Sequence, residues 1–566
     1  MKLHREKLLS AALSLFCLSG AVSAQNLAVA PNAADFENET ARLRASASAP
    51  SRFGLIPSPV DHSHLTNASR AAYRATYPAL YDLRKLGRVT PVQDQLSCGS
   101  CWSFAAMASL ESGQLPAHNW KFSENNLKNT HGFDWGPCAG GNYDMAAAYL
   151  TRWSGPVAAT SDPYNPYIST SPVLSPLRHI QNFHVLPAKA SALDNDAIKW
   201  AVTNYGGGYV SFYMDEASSY YNPNTYAYNY TGTASTNHAV TIVGWNDNYS
   251  RLNFATTPAG NGAYIVKNSW GTSWGDSGYM YVSYYDAKMG SKSSAVFYNA
   301  EDTTNYNRMY IYDRFGYVSS YGYGTLTASG ANIFTAQEAS SLVAAGIYTT
   351  DANTSYTITV TTGVGTTPAS GTLASTTSGT LPNAGYHTIA LSSPVSLAQG
   401  DRFAVIVAYA NTSYTYPVPV SRAISNYSSA ATGVPGRSFI SLNQTSWTDI
   451  TSADSSATVA IRAFTVGAVS PPLNIKAYPN PWKPGTGGTH DAAGITFSGI
   501  PGAATIDIYT VSGELVRTIR ISDSAGGVAV WDGQRDSGGK AGSGIYLAAV
   551  KIATGGSKTM KLAVER

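Results

Sequence analysis

The sequence predicts an α+β domain followed by two all-β sandwiches, and three observations carry that expectation. With 566 residues the chain exceeds what one hydrophobic core can support, so three or four domains are expected. Between about Tyr81 and Asn299 helical patterning and continuous apolar runs occur together, the mixture of an α+β domain. From about Asp302 onward, short runs rich in Val, Ile, Thr and Tyr are separated by Gly, Pro, Asn and Ser, the texture of sandwiches. Charged residues make up 13% of the chain, against roughly 25% in typical soluble domains, which suits an extracellular, strand-rich protein. A formal net charge of +3 creates no strong field, and no Lys/Arg cluster interleaved with aromatics occurs beyond the extreme N-terminus, so nucleic acid is not expected as a partner.

Each segment follows in order. Lys2, His4, Arg5 and Lys7 precede an apolar run from Leu8 to Val22 that ends in Ala-Val-Ser-Ala before Gln25, so residues 1–24 read as a secretory signal cleaved after Ala24. The run falls short of the roughly 20 residues needed to span a bilayer. Lipid attachment at Cys17 is disfavoured because Leu-Phe precedes it where small residues are wanted. Removing the signal leaves Cys98, Cys101 and Cys138, an odd number in a compartment where disulfides persist, so one thiol stays free. Residues 25–80, rich in Ala, Asn, Ser and Pro, read as a pro-segment or linker with one short helix from Phe36 to Arg44. In residues 81–299, helices are expected after Cys101 and from Tyr143 to Trp153, with Gly113 weakening or ending the first, and apolar strands over Ala239 to Trp245 and Ala263 to Val266. Residues 302–466 form the first sandwich, with strands such as Tyr356 to Thr361 and Phe403 to Tyr409. After Ser470-Pro471-Pro472, residues 471–566 suffice for a small immunoglobulin-like unit, with strands near Ala504 to Tyr509, Val516 to Ile521 and Gly544 to Ile552.

The chemistry concentrates in Gln95-Leu96-Ser97-Cys98-Gly99-Ser100-Cys101-Trp102-Ser103-Phe104. Gly99 and Ser100 permit a tight turn, so Cys101 sits at a helix N-terminus, where the helix dipole favours the thiolate, the attacking form of cysteine. His238 opens the apolar run His238-Ala239-Val240-Thr241-Ile242-Val243-Gly244-Trp245, which would hold an imidazole rigidly as the base. Asn268, in Val266-Lys267-Asn268-Ser269-Trp270-Gly271, can accept from the ring and fix its tautomer, with Trp270 shielding that bond from water. A bare Cys-x-x-Cys is more often a redox pair or half a zinc site. Here a third cysteine is present, and His131 has no partner at finger spacing, so both readings recede. The other histidines, among them His62, His64, His179, His184 and His387, read as ordinary hydrogen-bonded residues.

Cys-Gly-Ser-Cys-Trp is similar to the local signature around the nucleophile of the papain family, and His238 falls in the downstream window of roughly 130 to 150 residues noted for that family. The resemblance spans residues 81–299 and implies a two-lobed papain-like fold and a cysteine endopeptidase that hydrolyses peptide bonds through a thioester, with Cys101, His238, Asn268 and Gln95 as catalytic set. It assigns Gln95 and the Cys101 backbone N–H to the oxyanion hole. It also implies a Cys98–Cys138 disulfide, Gly140 and Gly141 as the backbone on which substrate pairs, and Ala239 and Trp270 at the substrate site, with Ala239 leaving room for a bulky apolar side chain. No metal or organic cofactor is called for. Two departures stand out: Leu96 replaces the glycine usual after the glutamine, and residues 25–80 lack the long helical inhibitory motif of relatives, so inhibition by that segment does not carry over. Residues 302–466 resemble the lectin-like sandwich of some bacterial members, which implies glycan binding, with Tyr310, Tyr312, Tyr317, Tyr321 and Tyr323 as stacking candidates. Residues 471–566 are similar to flagellar hook-capping and secretion-sorting domains, which implies a surface or export role. The expected partners are therefore protein or peptide substrates, glycan, and secretion machinery. The rival expectation is a catalytically idle surface adhesin that binds through its sandwiches.

Overall fold

The computed structural model describes residues 26–45, 51–65, 71–215, 219–467, 474–522, 527–552 and 557–566. The signal expected over residues 1–24, with Cys17, and the break at Ser470-Pro471-Pro472 lie outside them. Five α-helices occur among these residues: α1 (Phe36–Ala45), α2 (Cys101–Gln114), α3 (Glu124–Thr130), α4 (Tyr143–Thr151) and α5 (Asp196–Tyr205). Everything else regular is strand or short 3-10 turn.

Helix α2 is the central buried helix of the first lobe. Apolar and small residues lie on nearly every side of it, so Trp102, Ala106, Met107 and Leu110 are all fully buried, and the helix packs against α4 and against the strands Ser294–Glu301 and His238–Asn246. The helix ends at Gln114, one residue after Gly113, where an end or a weak point was expected. A Cβ on Gly113 would lie 2.8 Å from the Tyr205 carbonyl oxygen, so the glycine also serves a close approach to the end of α5. Helix α4 stops two residues before Trp153, which adopts a left-handed φ of 61°.

The second lobe is a sheet in which His238–Asn246 lies between Gly208–Phe212 and Ala263–Lys267, antiparallel to both. Its strands are buried on both faces, which is why they read as unbroken apolar runs rather than alternations. That sheet does not end with the lobe. It continues through Ser294–Glu301 and His179–Leu186 to Gly385–Leu397, Ser340–Thr349 and Ile461–Gly467, giving 13 strands in all. The junction is the antiparallel pairing of Gly385, Tyr386 and His387 with His184, Phe183 and Asn182. Two regions read from sequence as separate domains thus share one sheet.

The lectin-like region closes against this extension with a second sheet of six strands, including Thr354–Thr362, Arg402–Ala410 and Thr327–Thr335. Leu342, Ile347, Ile358, Val360, Phe403, Val405, Val407 and Ile461 fill the space between the two. On the opposite face of the extension, toward the protease helix Tyr143–Thr151, Arg462 and Asp313 form an ion pair at 2.6 Å with neither side chain exposed, flanked by the rings of Tyr348 and Tyr386. Tyr310, Tyr317 and Tyr321 are at most 6% exposed, so three of the five tyrosines raised as sugar-stacking candidates are core. The C-terminal unit is a sandwich of three strands (Lys476–Tyr478, Ile495–Ser498, Val528–Trp531) on four (Leu515–Ile521, Ala504–Thr510, Gly544–Ile552, Ser557–Val564), sealed by Trp482, Trp531, Phe497 and Ile506.

Residues 26–45 and 51–65 pack against both the protease and the lectin-like region. Ala28–Val29 pairs with Tyr321 and Gly322 of the lectin-like region, and Phe36 of α1 packs edge-on against Tyr427 at 5.8 Å.

Candidate active site

Cys101 is the first residue of α2, and the loop before it is tied down on both sides. The Cys98–Cys138 disulfide joins the loop to Pro137-Cys138-Ala139-Gly140-Gly141, with Cα atoms 4.7 Å apart, and Gly99 N donates to the Cys138 carbonyl at 3.2 Å. Among the described cysteines, Cys101 is the free one, and it is fully buried.

His238 begins the central strand of the second lobe. Its Nε2 lies 2.8 Å from Asn268 Oδ1, and Ser269 N donates to the same oxygen at 2.9 Å. Two donors converging on Oδ1 set the amide orientation, place the imidazole proton on Nε2 and leave Nδ1 as the acceptor. Nδ1 is buried and carries no hydrogen bond. Trp270 stacks over the ring at 4.9 Å between centroids, closing the histidine–asparagine bond off from water. The backbone amide of Ala239, next to His238 and paired with Ser211, reaches the Cys101 sulfur. The turn before α2 and the start of the strand thus meet at the thiol.

Gln95 is fully buried. Its Nε2 donates to the Cys98 carbonyl at 2.7 Å and to the Arg52 carbonyl at 2.8 Å, while Oε1 accepts from Ser269 Oγ. Leu96 beside it has φ 53° and is nearly half exposed. Glycine is usual at this place because the backbone is left-handed, and the leucine carries the strain.

The cleft is occupied by the chain's own residues 52–56, a feature the sequence reading missed. Gly141 N donates to the Gly54 carbonyl at 2.9 Å, Ile56 N donates to the Gly141 carbonyl at 3.1 Å, and Leu55 N donates to the Asn237 carbonyl at 3.1 Å. Phe53 packs edge-on against His238 and Trp270, and the Arg52 guanidinium lies 4.1 Å above the Trp270 ring. The fit needs glycines on both sides. A Cβ on Gly54 would lie 1.9 Å from the Gly99 oxygen, and one on Gly140, itself at φ +119°, would lie 2.7 Å from Ile56 Cγ2. The available signal was Phe53-Gly54-Leu55-Ile56, a short apolar run with a central glycine inside an Ala/Ser/Pro-rich stretch.

The covering peptide holds both reacting groups toward their neutral forms. Burial pushes the Cys101 thiol up to about 11, against smaller opposing contributions from the backbone amides around it. Burial also brings His238 down to about 4, with the Asn268 bond opposing and Arg52 reinforcing. Both groups are neutral while residues 52–56 cover them, because the peptide strips the pair of water that would stabilise charge. His62 also departs from expectation: it is wholly enclosed, and neither ring nitrogen finds a partner. Among the described residues no cluster of three or more His, Cys, Asp or Glu side chains is placed to hold a metal ion.

Residues 77–299 match the family described as papain family cysteine protease, and residues 309–465 match the lectin like domain. Over 220 residues the chain is 33% identical to a cathepsin L-like peptidase of Aedes aegypti, covering 36% of this chain and 58% of that protein. It is 32% identical over 248 residues to cathepsin S of Mus musculus, covering 40% of this chain and 65% of that protein. The chain therefore spans less than two thirds of the length of these curated relatives. Among solved structures, the cysteine protease and lectin-like domains of Cwp84, a surface layer associated protein of Clostridium difficile, superpose with a TM-score of 0.66 at 24% identity, covering 78% of this chain and 98% of that one. Cwp84 after propeptide cleavage superposes with a TM-score of 0.60 at 26% identity, over 69% of this chain and 99% of the other. These matches show a papain family cysteine protease domain over residues 77–299, joined to a lectin-like domain over residues 309–465.

Proposed function

We propose that this protein is a secreted cysteine endopeptidase, made as a zymogen and blocked in the cleft by residues 52–56. The observation that carries the reading is the convergence of a buried free thiol, an asparagine-held histidine and an oxyanion-type glutamine at one point, covered by an extended peptide of the same chain. Once that peptide leaves, water re-enters and Cys101 passes its proton to His238 Nδ1. The thiolate attacks the substrate carbonyl carbon, and the oxygen that gains charge is held by Gln95 Nε2, freed from the Arg52 carbonyl, and by the Cys101 backbone N–H. Such donors are worth about 2.7 to 4 kcal/mol in the transition state. His238 then returns the proton to the leaving amine. Water, deprotonated by His238, attacks the thioester and releases the acid and the thiol. Gly140 and Gly141 serve as the pairing edge for substrate, a role supported by the hydrogen bonds residues 54–56 make there.

The remaining assignments belong to the same reading: a cleaved signal over 1–24, an inhibitory segment within 25–80, protease over 81–299, a glycan-binding sandwich over 302–466, and a surface or export module over 471–566. The test is labelling of processed protein with an epoxide inhibitor of papain-family enzymes, followed by peptide mapping beside a Cys101→Ala control. Covalent mass on Cys101 that requires the native fold is the expected result. No labelling of folded, reduced, processed protein would reject the mechanism and leave the idle adhesin as the better reading.

A further inference from the structure

The inhibitory segment does more than fill the cleft. From Gly54 at the cysteine, the chain runs through Pro57–Val60 to His62, which lies against the rings of Tyr143 and Tyr317. It continues to His64, whose ring stacks on Tyr414 with centroids 3.8 Å apart and whose Nε2 meets the Thr350 carbonyl at 2.7 Å. Tyr317, Thr350 and Tyr414 belong to the lectin-like domain. Ten residues thus connect the catalytic cysteine to an aromatic platform on the neighbouring domain. The earlier part of the segment returns to the same face: Ala33 N donates to the Pro59 carbonyl, Ala30 N donates to the Ser320 carbonyl, and Ala28–Val29 pairs with Tyr321 and Gly322.

That last pairing has a structural consequence. The strand Ser319–Gly322 has two neighbours, Ala28–Val29 on one side and Val418–Ser421 on the other. Without the N-terminal segment it is an edge, with backbone donors and acceptors turned outward, the template on which an extended polypeptide adds as a strand. The platform of Tyr414 and the buried face of Tyr317 lie between this edge and the cleft, so the exposed track is continuous with the site where peptide bonds would be cut.

We propose that the track vacated by residues 26–45 and 51–65 is the substrate-binding surface of the processed enzyme. It extends past the cleft onto the lectin-like domain, where Ser319–Gly322 and Tyr414 hold an extended stretch of a protein substrate remote from the scissile bond. The inhibitory segment occupies this track as a mimic of such a substrate. The inference rests on the peptidase reading above and adds a preference: long unfolded polypeptides over short peptides.

The test uses processed enzyme with two substrates, a fluorogenic tetrapeptide amide that reaches only the cleft and casein as a long unfolded chain. Tyr414→Ala should lower the ratio of kcat/KM for casein to that for the tetrapeptide by about fivefold, the size of one aromatic stacking contact. A synthetic peptide of residues 26–45, which lacks the cleft residues, should inhibit casein hydrolysis competitively without inhibiting tetrapeptide hydrolysis. A ratio unmoved by Tyr414→Ala, or an equal loss on both substrates, overturns the proposal. An enzyme that cleaves neither substrate defeats the peptidase reading itself.

Discussion

On the proposed inhibitory role of residues 51–65, the buried His62 should make their seating sensitive to acid, and the size of the effect can be worked out. The ring is fully enclosed, and burial, reinforced by the neighbouring His64 charge and opposed by Asp61, brings its pKa from 6.5 to about 3. A histidine held neutral in the bound state costs nothing above pH 6.5. Below that value the released segment takes up a proton that the bound one refuses, so binding is lost as pH falls from 6.5 toward 3. At pH 4.5 the loss is about 2.7 kcal/mol, on the order of 100-fold in the opening equilibrium. The other groups packed around it complicate the absolute curve. Tyr143 and Tyr317 stay protonated throughout. Asp144, raised by burial to about 7 and bonded to Ser58, favours the bound state as pH falls and opposes His62. A comparison of wild type with His62→Leu removes the complication, since Asp144 is common to both. The assay is amide hydrogen exchange at Ile56 and Gly141 in full-length protein carrying Cys101→Ala, which prevents self-cleavage. Relative to its value at pH 7.5, the ratio of wild-type to His62→Leu exchange rates should rise about 100-fold at pH 4.5. A ratio that stays flat between these two pH values would refute the assignment of acid sensing to His62.

Other expectations follow from the same geometry. With the Cys101 thiol raised to about 11 and His238 lowered to about 4 in the covered state, a small alkylating reagent at pH 7 should react with Cys101 at least tenfold more slowly in the zymogen than after processing. Gly54→Ala places a methyl against the Gly99 carbonyl, so unprocessed protein should gain at least tenfold in tetrapeptide hydrolysis as the segment is forced out of the cleft. Leu96→Gly relieves a left-handed backbone and should raise stability by up to about 1 kcal/mol in urea unfolding, the relief of strain exceeding the entropy glycine adds to the unfolded chain. Cys138→Ser opens a 40-residue loop and should lower stability by about 4 kcal/mol on the entropic model.

The residues that sequence reading singled out as catalytic candidates sit in rigid, locally encoded places. Cys101 follows a turn that needs small residues, and His238 and Asn268 flank apolar runs long enough to be recognised as buried strands. What it missed depends on contacts distant in sequence. Residues 52–56 carry no periodicity, and their placement depends on Gly99 and Gly140, some 45 to 90 residues away, which admit the segment because they lack side chains. The shared sheet was equally hidden. Gly385 pairs with His184 across about 200 residues, and nothing in either strand's composition announces which edge it will meet.

The same shared sheet decides whether the track survives when the inhibitory segment departs. If the lectin-like domain were held to the protease only through residues 26–65, their loss would free it and scatter the surface on which Ser319–Gly322 and Tyr414 lie. The contacts argue otherwise. Gly385–His387 pairs directly with the protease strand His179–Leu186, and Thr388 Oγ1 bonds Gln181 Oε1 at 2.7 Å. The hydroxyls of Tyr348 and Thr151 lie 3.0 Å apart, Arg152 donates to the Arg314 carbonyl, Trp135 donates to the Asn426 carbonyl, and Tyr427 donates to Asn142. None of these passes through the segment, and a sheet spanning two domains cannot rotate at the junction without breaking backbone hydrogen bonds. The segment is thus the detachable part of an otherwise fixed pair, so its removal should open a preformed groove rather than loosen the molecule. Amide exchange at Gly385, Tyr386 and His387 should remain as slow after processing as before. Acceleration there on segment loss would mean that the domains part and that no continuous track exists in the mature enzyme.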